Sequence, residues 1–193
     1  MLSYLIGPYT TYCTACSASI ASALAADLLI HYGHSCLVPF NSTSIPCLYV
    51  FVDIKIDTHH LLQTLTLNFP TDTTLFLAGT IQFASEIRAM KLELEKTGFR
   101  VSIPQSKLLS VGEVLGCTAP RIAKIDSEDK VIVFVTDRRF HLEAIMIANP
   151  EIKAFRYDPY LGKLCGETSE SSTRLISSEV YSYPPLVALI LCC

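Results

Sequence analysis

Apolar, β-branched runs recur along the chain, separated by stretches whose apolar positions return every three or four residues; this alternation predicts strands interleaved with helices. Leu48 to Ile54 (Leu-Tyr-Val-Phe-Val-Asp-Ile) reads as a strand covered on both faces, Thr74 to Ala78 as a second, and Val131 to Val135 as a stronger third. Between them, His59 to Phe69 reads as a helix, and Ile81 to Lys96 carries apolar residues at helical spacing until Gly98 stops it. Phe99 to Ile103 is a further strand, Phe140 to Ala148 a helix ended by Asn149-Pro150, and Lys153 to Tyr157 the last strand. At the front, alanine- and serine-rich Ser17 to Ala26 predicts a helix, and Asp27 opens a strand at Leu28-Leu29-Ile30. His31-Tyr32-Gly33-His34 then reads as a loop at that strand's end.

The implied class is α/β, with two small lobes whose mainly parallel sheets are flanked by helices. Parallel neighbours joined through helices require right-handed crossovers, and such sheets gather their reactive residues in loops at the carboxyl ends of the strands. The lobes are expected at residues 1–57 and 58–165. From Gly166 the composition turns to Glu, Thr and Ser before an apolar end at Pro184 to Cys193, so 166–193 reads as a divergent tail. No internal repeat at a short fixed period is visible.

Composition narrows the class. Half of the 193 residues are hydrophobic and 17% are charged, too apolar a balance for a disordered chain. A net charge of −3 with scattered lysines and arginines leaves no electrostatic footprint for direct nucleic-acid binding. No apolar run reaches the roughly 20 residues of a membrane helix, so no membrane association is expected. Met1 to Ile6 is too short for a signal h-region and leads into Gly7-Pro8. The expected location is cytoplasmic, where eight cysteines mean reduced thiols or metal ligands rather than disulfides.

Several constellations could carry chemistry. Cys13-x-x-Cys16 followed by His31-x-x-His34 offers zinc two thiolates and two imidazoles. The histidines are closer than finger geometry usually permits, however, and the intervening sequence reads as helix plus strand. Cys13 and Cys16 could also form a dithiol pair whose pKa a helix N-terminus lowers. Cys117 lies in Gly116-Cys117-Thr118, a glycine-flanked loop where a thiolate could approach a cofactor, or an ordinary buried cysteine could sit. His31, His34 and Cys36 follow a strand and either line a site or fix a loop. Asp137-Arg138-Arg139-Phe140-His141-Leu142-Glu143 joins a strand to a helix, where carboxylate, guanidinium and imidazole can converge or simply cap the helix. A glycine-rich phosphate loop, a GxSxG elbow and a CxxxCxxC triplet are all missing from the sequence.

Longer segments add specificity: His31-Tyr-Gly-His-Ser-Cys-Leu37, Leu48-Tyr-Val-Phe-Val-Asp-Ile-Lys-Ile-Asp57, Gly79-Thr-Ile-Gln-Phe83, Pro104-Gln-Ser-Lys107 and Gly112-Glu-Val-Leu-Gly-Cys-Thr118. Arg139-Phe-His-Leu-Glu143, Met146-Ile-Ala-Asn-Pro150 and Tyr157-Asp-Pro-Tyr160 continue the series. Together, from about Ala21 to about Leu164, they resemble the diphthamide synthase family, in particular its eukaryotic first subunit, a 2-(3-amino-3-carboxypropyl)histidine synthase.

The resemblance implies three related α/β domains, each giving one cysteine to a 4Fe-4S cluster whose open iron takes S-adenosylmethionine. It implies transfer of the 3-amino-3-carboxypropyl group from S-adenosylmethionine to a histidine of elongation factor two, the first step of diphthamide biosynthesis. Partners would be a paralogous second subunit, forming a heterodimer, a small metal-binding electron donor, and elongation factor two itself. Cys117 would be the second-domain ligand and Cys16 the first, with Cys13 as a substitute; His31, His34, Gln105, Asp137, Arg139, His141 and Glu143 would line the cofactor site. Where the family shows Tyr-Gly-Ala-Cys-Cys-Val-Asp-Asp, this chain reads Tyr12-Cys13-Thr14-Ala15-Cys16-Ser17-Ala18-Ser19, and Arg138 replaces a family glycine. The first domain reads as incomplete, without the family's opening strand, and the tail replaces the third domain, so impaired activity is expected. Rival expectations are a non-catalytic fragment that binds the second subunit, and a zinc or dithiol module on Cys13 and Cys16.

Overall fold

The computed structural model describes residues 4–7, 14–32, 45–116, 118–123 and 129–167. It divides into two compact units that meet in sequence at Val52 and Asp53.

The first unit carries β1 (Tyr4–Gly7), α1 (Thr14–Ala23), β2 (Leu28–Tyr32) and β3 (Cys47–Val50). Its sheet is parallel in the order β1-β2-β3. Ala18, Ala21 and Leu29 are its buried apolar residues, with Ala26, Ile45 and Cys47 packed against them. The alanines are what let α1 lie close to β2. Four residues of β1 are too few to show a period, so sequence reading passed over that strand. It did the opposite with β3. The expected strand to Ile54 ends at Val50, and Leu48 and Phe51 are exposed rather than covered, because β3 is an edge of its sheet. His31 lies inside β2, not in a following loop.

The second unit holds α2 (Thr58–Asn68), β4 (Thr74–Gly79), α3 (Ala84–Lys96), β5 (Arg100–Ser102), β6 (Lys130–Val135), α4 (Phe140–Ala148), β7 (Lys153–Asp158) and β8 (Lys163–Glu167). Asp57 caps α2 by accepting from the His60 N–H. Ile54 and Ile56 pack against this unit's core and the Ile54 N–H donates to the Gln82 carbonyl, which draws the connecting segment onto the turn that precedes α3. Lys55 ties it down further, reaching Glu86 at 2.7 Å and Asp53 at 3.2 Å, while Ser85 donates to Asp53.

The sheet order is β5-β4-β6-β7-β8, parallel except for β8, which runs antiparallel to β7. Every residue of β4 is buried. Alternation then divides the core into two layers. Leu75, Leu77, Val131, Val133 and Val135 face α2 and α3 together with Leu61, Leu65, Ile87, Met90 and Leu94. Phe76, Ala78, Ile132 and Phe134 face α4 and the β5–β6 connection, meeting Leu142, Ile145, Val114 and Ile122. The structure thus has the parallel, helix-covered sheets expected of its class. Sequence reading missed β8, whose short, mixed run Lys-Leu-Cys-Gly-Glu has no clear alternation.

One polar contact crosses the first layer. The hydroxyl of Tyr157, 1% exposed on β7, shares a 2.8 Å hydrogen bond with Nδ1 of His60 on α2. Burial, then the negative charges of Asp57 and Asp158, raises the Tyr157 pKa above its ordinary value of 10.0. The folded chain therefore gives up this proton less readily than the unfolded one. The associated stability is complete below about pH 10 and is lost as pH rises through the folded pKa. Urea unfolding followed from about pH 8 to about pH 11 should show stability falling faster in the native chain than in Tyr157→Phe. Parallel curves would show that the phenol does not titrate in this way.

Candidate functional site

In the second unit β5 lies on one side of β4 and β6 on the other, so the connections leaving β4 and β6 diverge, and their carboxyl ends form the sheet's topological switch point. The strands approach closely there. A Cβ added to Gly79 would lie 2.6 Å from the Val135 carbonyl oxygen and 2.7 Å from Ile87 Cδ1, so only glycine fits the end of β4.

The β5–β6 connection runs past this point. The Gly79 N–H donates to the Gly112 carbonyl at 2.9 Å, and the Val114 N–H to the Gly79 carbonyl at 3.0 Å, which extends the sheet edge by a short parallel stretch. Leu115 and Thr118 then exchange two backbone hydrogen bonds of 3.2 Å. The neighbours of Cys117 are therefore fixed on both sides, although Cys117 itself lies outside the described residues. A side chain on Gly116 would collide with the ring of Phe140, which places this loop against the first turn of α4.

Asn149 secures the far side of the loop. It is 1% exposed; its Oδ1 accepts from the Ile122 N–H at 2.7 Å, and its Nδ2 donates to the carbonyls of Pro120 at 3.0 Å and Ile145 at 2.9 Å. In the sequence this residue read only as part of a helix stop. Glu113 is fully buried, its Oε2 accepting from the Ser110 N–H at 3.1 Å. Its Oε1, like Thr80 Oγ1 and Ser106 Oγ, is a buried oxygen with no hydrogen-bond partner. Buried polar atoms of that kind are uncommon away from ordered water or ligands.

The charged residues after β6 divide into two groups. Asp137 and Arg138 are exposed and form a 3.8 Å ion pair. Such a pair is worth little, and the Arg138 side chain points its charge to solvent. Arg139 instead pairs at 3.0 Å with Glu167 on β8. The other Glu167 oxygen meets Arg156 Nε at 3.2 Å, and Arg156 reaches Asp158 at 3.5 Å. The result is a row of alternating charges, mostly withdrawn from water, that runs from the β7–β8 turn to the head of α4.

Of the other candidates, Gln105 follows β5, is exposed, and donates to the Leu109 carbonyl at 2.9 Å. His141 and Glu143 occupy the first turn of α4 and are half-buried; the His141 ring meets Phe140 edge-on at 5.2 Å. His31, in the first unit, is 3% exposed and meets the Tyr49 ring edge-on at 5.2 Å. Cys16 lies on α1, while Cys13, His34 and Cys36 fall outside the described residues. Among the described residues no three His, Cys, Asp or Glu side chains gather as a metal site, and no helix is long and apolar enough to cross a membrane. A donor set of thiolates suits iron–sulfur or zinc chemistry and not magnesium or calcium.

These features define a doubly wound α/β protein whose candidate chemistry sits on strand-end loops at a topological switch point. The chain belongs to the family described as "Putative diphthamide synthesis protein", which matches residues 3–178. It is 56% identical over 142 residues to the Homo sapiens protein named 2-(3-amino-3-carboxypropyl)histidine synthase subunit 1, an alignment covering 72% of this chain and 32% of that protein. It is 51% identical over 154 residues to the Schizosaccharomyces pombe protein of the same name, covering 77% and 35%. The chain thus spans about a third of the length of the curated relatives it matches. Two crystal structures of Dph2 from Pyrococcus horikoshii, one with a 4Fe-4S cluster, superpose with TM-scores of 0.64 and 0.65 at 25% identity. Each covers 88% of this chain and 50% of the other. The family read from the sequence motifs is the family found.

Replacing Asn149 with Ala removes three hydrogen bonds and leaves the buried Ile122 N–H unpaired. The expected loss is about 2–4 kcal/mol, read as a lowered urea midpoint with unchanged slope. A change below about 0.5 kcal/mol would show that the loop does not depend on this side chain.

Proposed function

We propose that this chain is the part of a diphthamide synthase first subunit that serves transfer of the 3-amino-3-carboxypropyl group from S-adenosylmethionine to a histidine of elongation factor two, the first step of diphthamide biosynthesis. The observation that carries this reading is the Gly112–Thr118 loop. Its backbone is bonded to the end of β4 and Gly116 is packed on Phe140, so the residues flanking Cys117 are anchored at the switch point of a chain in this family.

In this proposal Cys117 and Cys16 supply thiolates to a 4Fe-4S cluster, with Cys13 as the alternative in the first unit. The bound cluster would supply an electron to cleave the sulfonium, because thiolate-ligated clusters reach low potentials. The chain's own residues bind and orient. Arg139 takes the carboxylate of the transferred group, the planar pairing a guanidinium makes well. Gln105, Asp137, His141 and Glu143 line the same edge and offer donors and acceptors to the rest of the cofactor. His31 and His34 are the further cofactor-binding residues of this proposal. The working state is a cytoplasmic heterodimer with the paralogous second subunit, supplied with electrons by a small metal-binding protein.

The test is co-expression with the second subunit and anaerobic reconstitution with iron and sulfide. A brown complex that transfers label from carboxyl-labelled S-adenosylmethionine to elongation factor two, and loses its visible absorbance in Cys117→Ser, is the expected result. A complex that co-purifies but stays colourless would assign the chain to subunit docking instead. Metal binding that depends on Cys13 and Cys16 but not on Cys117 would point to a zinc or dithiol module.

A further inference from the structure

Arg139 leads into α4, yet the group holding it comes from elsewhere in the fold. Glu167 is the last residue of β8, the antiparallel edge strand, and its side chain is 8% exposed. Its two oxygens have different tasks. Oε2 meets Arg139 Nη2 at 3.0 Å, and Oε1 meets Arg156 Nε at 3.2 Å. Arg156 is itself held at 3.5 Å by Asp158, whose other oxygen accepts the backbone N–H groups of Tyr160 at 3.0 Å and Leu161 at 3.1 Å. Each charge in the row is therefore fixed by the next, back to a turn of the main chain.

A long arginine side chain has many rotamers, and placing it for a ligand normally costs binding entropy. Here the cost is met in advance. The Arg139 side chain remains 24% exposed, so it is held without being sealed off.

We infer that Glu167 is a positioning residue: braced by Arg156, its carboxylate sets the Arg139 guanidinium in the orientation that receives the carboxylate of the transferred aminocarboxypropyl group. This rests on the proposed function, in which Arg139 binds that carboxylate. It adds that recognition depends on a residue of the last described strand, which touches no ligand.

The isosteric variant Glu167→Gln tests it, because an amide must turn its NH2 toward one of two guanidinium donors and cannot satisfy both. Binding to the co-expressed complex with the second subunit would be measured by calorimetry with two probes. S-adenosylhomocysteine carries the carboxylate; methylthioadenosine lacks it. The expected result is about tenfold weaker S-adenosylhomocysteine binding in Glu167→Gln, with methylthioadenosine unchanged. Arg139→Gln should lose as much, and the double variant little more than either.

Equal weakening of both probes, with a lowered melting temperature, would make Glu167 structural and overturn the inference. So would native affinity in Glu167→Gln while Arg139→Gln is impaired, a result that leaves the proposed function standing. If the native complex binds neither probe, the proposed function falls and the inference with it.

Discussion

The burial of β4 and β6 on both faces is the constraint on which the rest of this structure depends. Two adjacent parallel strands with every β4 residue and nearly all of β6 withdrawn from water need a helical layer on each side. The chain meets this with α2 and α3 on one face, and α4 with the β5–β6 connection on the other. That second cover is the unusual one. Val114 and Ile122 come from a loop, yet they are core residues, so the connection that carries the candidate cysteine cannot leave the sheet without uncovering Phe76, Ala78, Ile132 and Phe134. Fixing the site loop and filling the core are one event.

Polar interactions then refine what burial has placed, and their settings decide which matter. Lys91 with Glu95 and Lys96 with Glu93 are exposed pairs along α3, worth a few tenths of a kcal/mol. Asn149 and Glu167 differ because water is kept from them. Removing Asn149 leaves the buried Ile122 N–H unpaired, at a cost of about 2–4 kcal/mol, and removing Glu167 takes from the part-buried Arg139 and Arg156 the carboxylate they share. Asn149 joins α4 to the loop, and Glu167 joins β8 to the segment that opens α4. The same short helix is thus clamped at both ends by groups distant in sequence. Its nine residues, weakly amphipathic as a set, would have little reason to hold one pose without them.

What could be read from the sequence follows from how locally each feature is encoded. The strands β4 and β6 announce themselves because full burial demands unbroken apolar runs, and α3 because its charges recur at helical spacing until Gly98, which has a φ of +96°. Edge strands carry no such demand. β1 is short and β8 is short and mixed, while the apolar run that continues past β3 looks like strand although Phe51 faces solvent and Ile54 packs on the second unit's core. The helical run from Ile81 opens with a 3-10 turn to Phe83 that periodicity does not distinguish. The site was legible as far as topology reaches: residues after β5 and β6 had to fall at one edge of the sheet. The supporting groups were not. Glu167 lies beyond a change in composition, Asn149 resembles a simple helix stop, and Glu113 is an acidic residue that no pattern marks as fully buried.

Each unit has a core of its own. The second has a two-layer core, and it encloses the buried, unpartnered oxygens of Thr80, Ser106 and Glu113. Among its described residues the first buries Ala18, Ala21 and Leu29 against one another. On the proposed reading, α1 of the first unit carries one of the ligating cysteines. Ligation there would act on stability as well as chemistry, because a group bound only by the folded form shifts the folding equilibrium by mass action. In the second unit the Gly112–Thr118 loop and the Glu167–Arg139 pair are set by that unit's own core and hydrogen bonds, so their geometry does not wait on a ligand.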